Sequence, residues 1–221
     1  MTRLILIRHG ESVSTVARRI GGARTCGGLS PLGFQQAERL RQRLTETAEI
    51  RADVLMSSHY LRAQQTADAI APALGGLPII QDAGFGEHDP GPICDGLLYT
   101  EFMKQYGIDE SAWESGNPFD VTFPGGETIA DFHFRVGQAL RRTMQTYAAQ
   151  TVVISCHGGV VDAILRFALK APSMGLFEIH TLNTSLTEIQ LMKPNQWRLW
   201  RYNDTAHLAG LPASTPHDNE Q

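Results

Sequence analysis

Residues 3–10 read RLILIRHG. Four apolar residues, Leu4 to Ile7, stand with no polar position between them, which predicts a strand covered on both faces, as inside a parallel sheet. The strand then runs straight into Arg8, His9 and Gly10, two side chains that seek an anion followed by a residue with no side chain. A second stretch repeats the pattern. TVVISCHGG, residues 151–159, is an apolar run that ends on His157, Gly158 and Gly159. If these strands are neighbours, Arg8, His9 and His157 share one pocket, because open α/β sheets hold ligands beyond the carboxyl ends of their strands.

The remaining segments fit such a sheet. DVLMSS (53–58), LPIIQD (77–82), TSLTEIQLM (184–192) and WRLWRYN (197–203) read as four further strands. Ser30-Pro31 supplies a helix cap and a first-turn proline, ahead of a stripe formed by Leu32, Ala37, Leu40 and Leu44. YLRAQQTADAIAPAL reads as a second helix that Pro72 disturbs. From Thr128 a strong helical period returns through Ile129, Phe132, Val136, Leu140, Met144 and Tyr147. VVDAILRFAL follows the second glycine turn as a last helix. The alternation of strands and helices predicts a three-layer αβα sandwich with a mostly parallel central sheet.

Residues 84–127 break the alternation with Gly- and Pro-rich loops and one short helix around 99–106. A stretch this long is usually functional or disordered, and aromatics interleaved with its charges favour an inserted cap or lid over disorder. The chain therefore divides into one domain over 1–209, with 84–127 as the cap, and a polar tail over 210–221 expected to be disordered.

With 221 residues, 42% hydrophobic and 19% charged, the chain has ordinary soluble composition and is long enough for a substantial core. Its formal net charge of −4 and lack of a basic block argue against nucleic acid as a partner. No run approaches a membrane span or a signal peptide. Three separated cysteines, Cys26, Cys94 and Cys156, without a C-x-x-C pair, point to a reducing, cytoplasmic setting and away from disulfides. The histidines other than His9 and His157 show no zinc-site spacing, so no metal and no cofactor is expected. The strand WRLWRYN, read as a sheet edge, offers a route to a homodimer.

The paired strand ends suit phosphoryl chemistry. Arginine donates two parallel hydrogen bonds to phosphate and stays charged. A neutral imidazole can attack phosphorus and carry a covalent intermediate, and a carboxylic acid must then protonate the leaving oxygen.

Further motifs make the pattern specific. RHGES, LSPLGFQQA, SSHYLRAQQTA, GEHDPG, PGGET and SCHGGV occur in this order, and together they resemble the signature of the histidine phosphatase superfamily over about residues 3–208. The resemblance implies that His9 is phosphorylated during turnover. By the same resemblance Arg8, Arg62 and His157 hold the phosphoryl group, and Glu87 is the general acid and then base. It further implies a metal-independent hydrolase of the histidine acid phosphatase type, acting on a small phosphorylated metabolite. The alternatives are a bisphosphoglycerate-primed phosphoglycerate mutase and a binder of phosphorylated ligands without turnover. Gly158, Ser12, Thr15 and Arg24 are added as phosphate or substrate contacts.

The chain also departs from the family pattern. Ser14-Thr15 stand where many members have Trp-Asn, and ICDG stands where many have Trp-Glu-Gly. Asp162 replaces an arginine, and is expected to sit on the helix behind the site as a structural change only. The acids of residues 88–123, namely Asp89, Asp95, Glu101, Asp109, Glu110, Glu114 and Asp120, make the cap electronegative and favour a monophosphate with a polar or apolar remainder. Glu127 is read as a loop-fixing residue. N-D-T-A-H-L (203–208) resembles a C-terminal motif of broad-specificity phosphatases in this superfamily, with Asn203 or His207 closing the pocket or simply packing the last strand.

Overall fold

The computed structural model describes residues 1–106, 117–120, 123–175 and 177–215. Among the described residues six strands are found: β1 (Thr2–Arg8), β2 (Val54–Ser57), β3 (Ile79–Gln81), β4 (Thr151–Cys156), β5 (Leu186–Lys193) and β6 (Gln196–Asp204). They form one sheet in the order β3-β2-β4-β1-β5-β6. The first four neighbours pair in parallel, whereas β5 and β6 are antiparallel.

Alternate residues of β1 explain the layers, since successive side chains of a strand face opposite ways. Leu4 and Leu6 join one cluster with Val136, Leu140, Val161 and Ile164 from the helices Ile129–Thr146 (α6) and Gly158–Leu169 (α7). Ile5 and Ile7 join the other with Leu40, Leu44, Ala67 and Ile70 from Pro31–Thr47 (α2) and Leu61–Ile70 (α3). The strand is thus covered on both faces, as its unbroken apolar run requires.

Local signals set the helix ends. Ser30 accepts the Gly33 N–H ahead of α2, and Thr128 accepts the Asp131 N–H ahead of α6. Pro72 stops α3 at Ile70, and the chain continues as a tighter turn over Ala71–Leu74. The short helices Val13–Val16 (α1), Gly91–Cys94 (α4) and Tyr99–Tyr106 (α5) lie around the carboxyl edge of the sheet. Ile20, Cys94 and Phe102 form a small separate core there, joined by Tyr99 and Phe123.

The tail differs from expectation up to Thr215. The Thr215 N–H donates to Glu11 Oε2 at 2.7 Å and the Gln36 amide donates to Ser214 Oγ at 2.8 Å. The buried Glu11 carboxylate, also held by Ser30 Oγ at 2.6 Å, anchors a segment whose own composition gives no sign of order. Residues 216–221 lie outside the described residues.

Candidate active site

Register brings the two histidines together. Arg8 lies opposite Cys156 in the parallel β1–β4 ladder, and the His9 N–H donates to the Cys156 carbonyl at 2.9 Å. The next residues on each strand, His9 and His157, therefore meet with ring centroids 5.1 Å apart. Both are buried.

Hydrogen bonds fix the His9 tautomer. Nδ1 lies 2.6 Å from the Gly10 carbonyl, which only accepts, so Nδ1 carries the proton. Nε2 is then the lone-pair nitrogen, and it accepts from Arg62 Nε at 3.0 Å. Arg62 comes from the first turn of α3, is buried, and also donates to the Gly21 carbonyl at 3.1 Å. Its guanidinium stacks 4.5 Å from the Tyr60 ring centre.

His157 Nε2 lies 2.7 Å from Ser58 Oγ, at the end of the neighbouring strand β2. Burial, and after it the positive charges of Arg62 and other neighbours, pushes the His157 imidazole well below its ordinary value, so it stays neutral. Its Nδ1 is buried and has no protein partner. Arg8 donates through Nη1 to the Thr181 carbonyl. The Glu87 carboxylate accepts the Gly159 N–H at 3.1 Å and the His88 N–H at 3.0 Å. It thus rests on the N-terminus of α7, where a negative charge is favoured.

Of these, Arg8, His9, Arg62 and Glu87 line a cavity of about 650 Å³ at the carboxyl edge of the sheet, whereas His157, fully buried, lies outside its lining. Arg8, His9, Arg62, Glu87, Gly158, Ser12 and Thr15 all reach it. Ser12 caps α1 by accepting the Thr15 N–H, and its hydroxyl lies 3.0 Å from Thr15 Oγ1. Ser14 and Thr15, which replace the expected Trp-Asn, are both part of the wall.

Several expectations need correction. Arg24 does not line the cavity; it is exposed and pairs with Asp89 at 3.2 Å, because Asp95 holds its loop by the Gly22 and Arg24 N–H groups. Arg18 and Arg19 line the cavity instead. The cap acids among the described residues do not face the substrate space. Asp89 and Asp95 bind the 22–25 loop, Glu101 accepts the Leu98 N–H, and Asp120 accepts from Asn117. These four give no support to the preference for a polar or apolar remainder; Asp109, Glu110 and Glu114 lie outside the described residues.

Asp162 is not behind the site but on the cavity wall, paired with Arg166 at 2.7 Å. Glu127 does fix a loop, through Arg135 at 2.8 Å and the Asp89 N–H at 3.2 Å. Asn203 and His207 stay out of the cavity lining. Asn203 Oδ1 accepts the Leu182 N–H at 2.7 Å, and His207 Nε2 lies 2.9 Å from Thr184 Oγ1. They support a strip that residue patterns did not reveal: the Thr184 N–H donates to the Arg8 carbonyl at 2.9 Å, and Asn183 Nδ2 to the His9 carbonyl at 2.9 Å.

The sequence profile of the histidine phosphatase superfamily, branch 1, matches residues 4–205. The chain belongs to the histidine phosphatase superfamily. It is 32% identical over 208 residues to phosphoglycerate mutase-like protein 4 of Arabidopsis thaliana, covering 93% of this chain and 86% of that one. It is 29% identical to a metal-independent phosphoserine phosphatase of the same plant, covering 96% and 85%. Among solved structures it superposes on a mutant phosphoserine phosphatase from Entamoeba histolytica in complex with phosphoserine. That match has a TM-score of 0.77 at 25% identity, covering 94% of this chain and 100% of the other. Six strands, mostly parallel and flanked by helices, are the fold these histidine phosphatases share.

Proposed function

We propose that this chain hydrolyses a small phosphomonoester through a phosphohistidine at His9, without a metal. The observation that carries the reading is the aim of Arg62 Nε at the lone pair of His9 Nε2, with Nδ1–H tied to Gly10. A phosphoryl group in front of Nε2 comes under the donors of Arg8 and Arg62, which spread its equatorial charge, with the buried, unpartnered Nδ1 of His157 as a further donor to it. His9 Nε2 attacks phosphorus, the bond to the leaving oxygen breaks, and protonated Glu87 gives that oxygen its proton. Glu87, now a carboxylate, takes a proton from water as the water attacks phosphorus. The P–N bond breaks, inorganic phosphate leaves, and His9 and the acid are restored. Ser12, Thr15 and Gly158 border this phosphoryl space.

Among the described residues no group of three or more His, Cys, Asp or Glu side chains is placed to hold a metal ion. The test is rapid-quench labelling with a phosphomonoester in EDTA. Acid-labile, base-stable phosphate should form on the protein and vanish in His9→Ala, with turnover reduced by roughly 10³-fold or more. Turnover without that intermediate would overturn the reading. So would exchange of 2- and 3-phosphoglycerate, under a bisphosphate primer, that outpaces phosphate release.

A further inference from the structure

One carboxylate on the cavity wall has no part in the chemistry above. Asp162 follows Gly159 by three residues on α7, so the two share a helix face about 4.5 Å apart along the axis. Gly159 N–H holds Glu87, the proton donor to the leaving oxygen. Asp162 therefore lies less than one helical turn from the place where the leaving group departs, on the same cavity wall.

Two partners hold it. Arg166 Nε donates to Oδ2 at 2.7 Å, and the Ile179 N–H donates to the same carboxylate. Arg166 is buried and does not line the cavity. Its other nitrogens donate to the carbonyls of Pro172, at 3.0 Å, and Phe177. An ionised carboxylate offers about four acceptor positions. Two are occupied here, and the Arg166 guanidinium favours the charged form.

Burial pushes the Asp162 carboxyl up against the pull of Arg166, and the charge of an ionised Glu87 on the same wall adds to it. An ammonium on the leaving alcohol would pair its charge with the Asp162 carboxylate as well as donate to it, whereas a hydroxyl would gain one hydrogen bond only.

Resting on the hydrolase reading above, we infer that Asp162 selects phosphate monoesters of β-amino alcohols, accepting the ammonium group of the leaving alcohol. An arginine at this position, as many members carry, would present the opposite charge. The substitution is therefore a change of specificity rather than a packing change.

The test uses an achiral matched pair, 2-aminoethyl phosphate and 2-hydroxyethyl phosphate, which differ only in that group. The purified chain should favour the amine by about tenfold or more in kcat/KM, with the difference carried by KM, as expected of a charge-assisted hydrogen bond. In Asp162→Asn the ratio should fall to near one, and in Asp162→Arg it should invert. Asp162→Ser serves if either variant fails to fold.

A wild-type ratio near or below one overturns the inference. So does an equal loss on both substrates in the variants, which would mean that Asp162 only holds the 177–181 strip. If p-nitrophenyl phosphate is cleaved while neither member of the pair is, the inference falls and the hydrolase reading stands. If no phosphomonoester is cleaved, the hydrolase reading itself fails.

Discussion

Gly159 shows how one residue ties packing to chemistry. A Cβ built there would lie 2.4 Å from Glu87 Oε1, so only glycine lets the carboxylate sit on the helix N-terminus. Its backbone is otherwise helical, and alanine is favoured over glycine in a helix by up to about 1 kcal/mol. Gly159→Ala should therefore leave the melting temperature unchanged or higher while displacing Glu87. The kcat for an alkyl phosphate, whose leaving oxygen needs a proton, should drop by roughly 10²-fold. Activity on p-nitrophenyl phosphate, a better leaving group, should fall less. Equal losses on both substrates would show that Glu87 does not protonate the leaving oxygen. Gly10 has a different reason. Its Cβ would meet the Gly33 carbonyl at 2.5 Å, so it admits α2 beside the loop after His9 rather than a ligand.

At the scale of elements, the site stands on two strand ends, two helix starts and one strip without regular structure. The strand ends were legible, because an apolar run that stops at Arg-His-Gly or His-Gly-Gly carries its own period and punctuation. Arg62 and Glu87 were placed by resemblance, since an arginine in a helix and a glutamate in a loop have no periodicity that aims them at His9. The strip 181–184 was illegible. Its work is done by the Thr181 carbonyl, the Thr184 N–H and the Asn183 amide bonding to backbone and to Arg8 more than 170 positions away. Asp162 was misplaced because sequence gives a helix's period but not its rotation about its axis. Arg24 failed for another reason, the acidic pair Asp89 and Asp95 that faces it across the loop.

The strip makes a testable claim for Asn203, which sits at φ 51° and accepts the Leu182 N–H. Asn203→Ala loses the acceptor and keeps the left-handed backbone, costing about 1–3 kcal/mol and some 3–9 °C of melting temperature. Asn203→Gly removes the backbone cost alone. Stability should be partly regained in the glycine variant, while KM for phosphomonoesters stays raised several-fold in both. A KM that recovers together with stability would confine Asn203 to packing the last strand.

Across the whole molecule, the antiparallel edge is fastened by charges, whereas His157 and His207 are buried and His133 is half-buried. Arg3, Glu188, Arg201, Glu49, Arg43 and Asp204 form a connected set that links β1, β5 and β6 to α2, with contacts from 2.5 to 3.4 Å. Arg43 holds the Asp204 carboxyl well below its usual range, while Arg3 and Arg201 lower Glu188 against its burial. His207 and His133 are pushed down to about 4, mainly by burial, and His157 is lowered as well. Each histidine has its ordinary value of about 6.5 when unfolded. Between about pH 6.5 and 4 the unfolded chain therefore binds more protons than the folded one, so stability falls as pH falls. The carboxylates act later. Their native values lie below the unfolded ones near 4, so their contribution persists above that pH and is lost beneath it. The melting temperature should accordingly decline in two stages on acidification, first across the histidine window and then below about pH 4. His207→Gln should flatten the first stage and leave the second, whereas Arg43→Gln, which removes the charge facing Asp204, should lower the melting temperature near neutrality and weaken the second stage alone. A melting temperature independent of pH between 7 and 4.5, followed by scanning calorimetry, would show that the buried histidines are protonated in the folded chain.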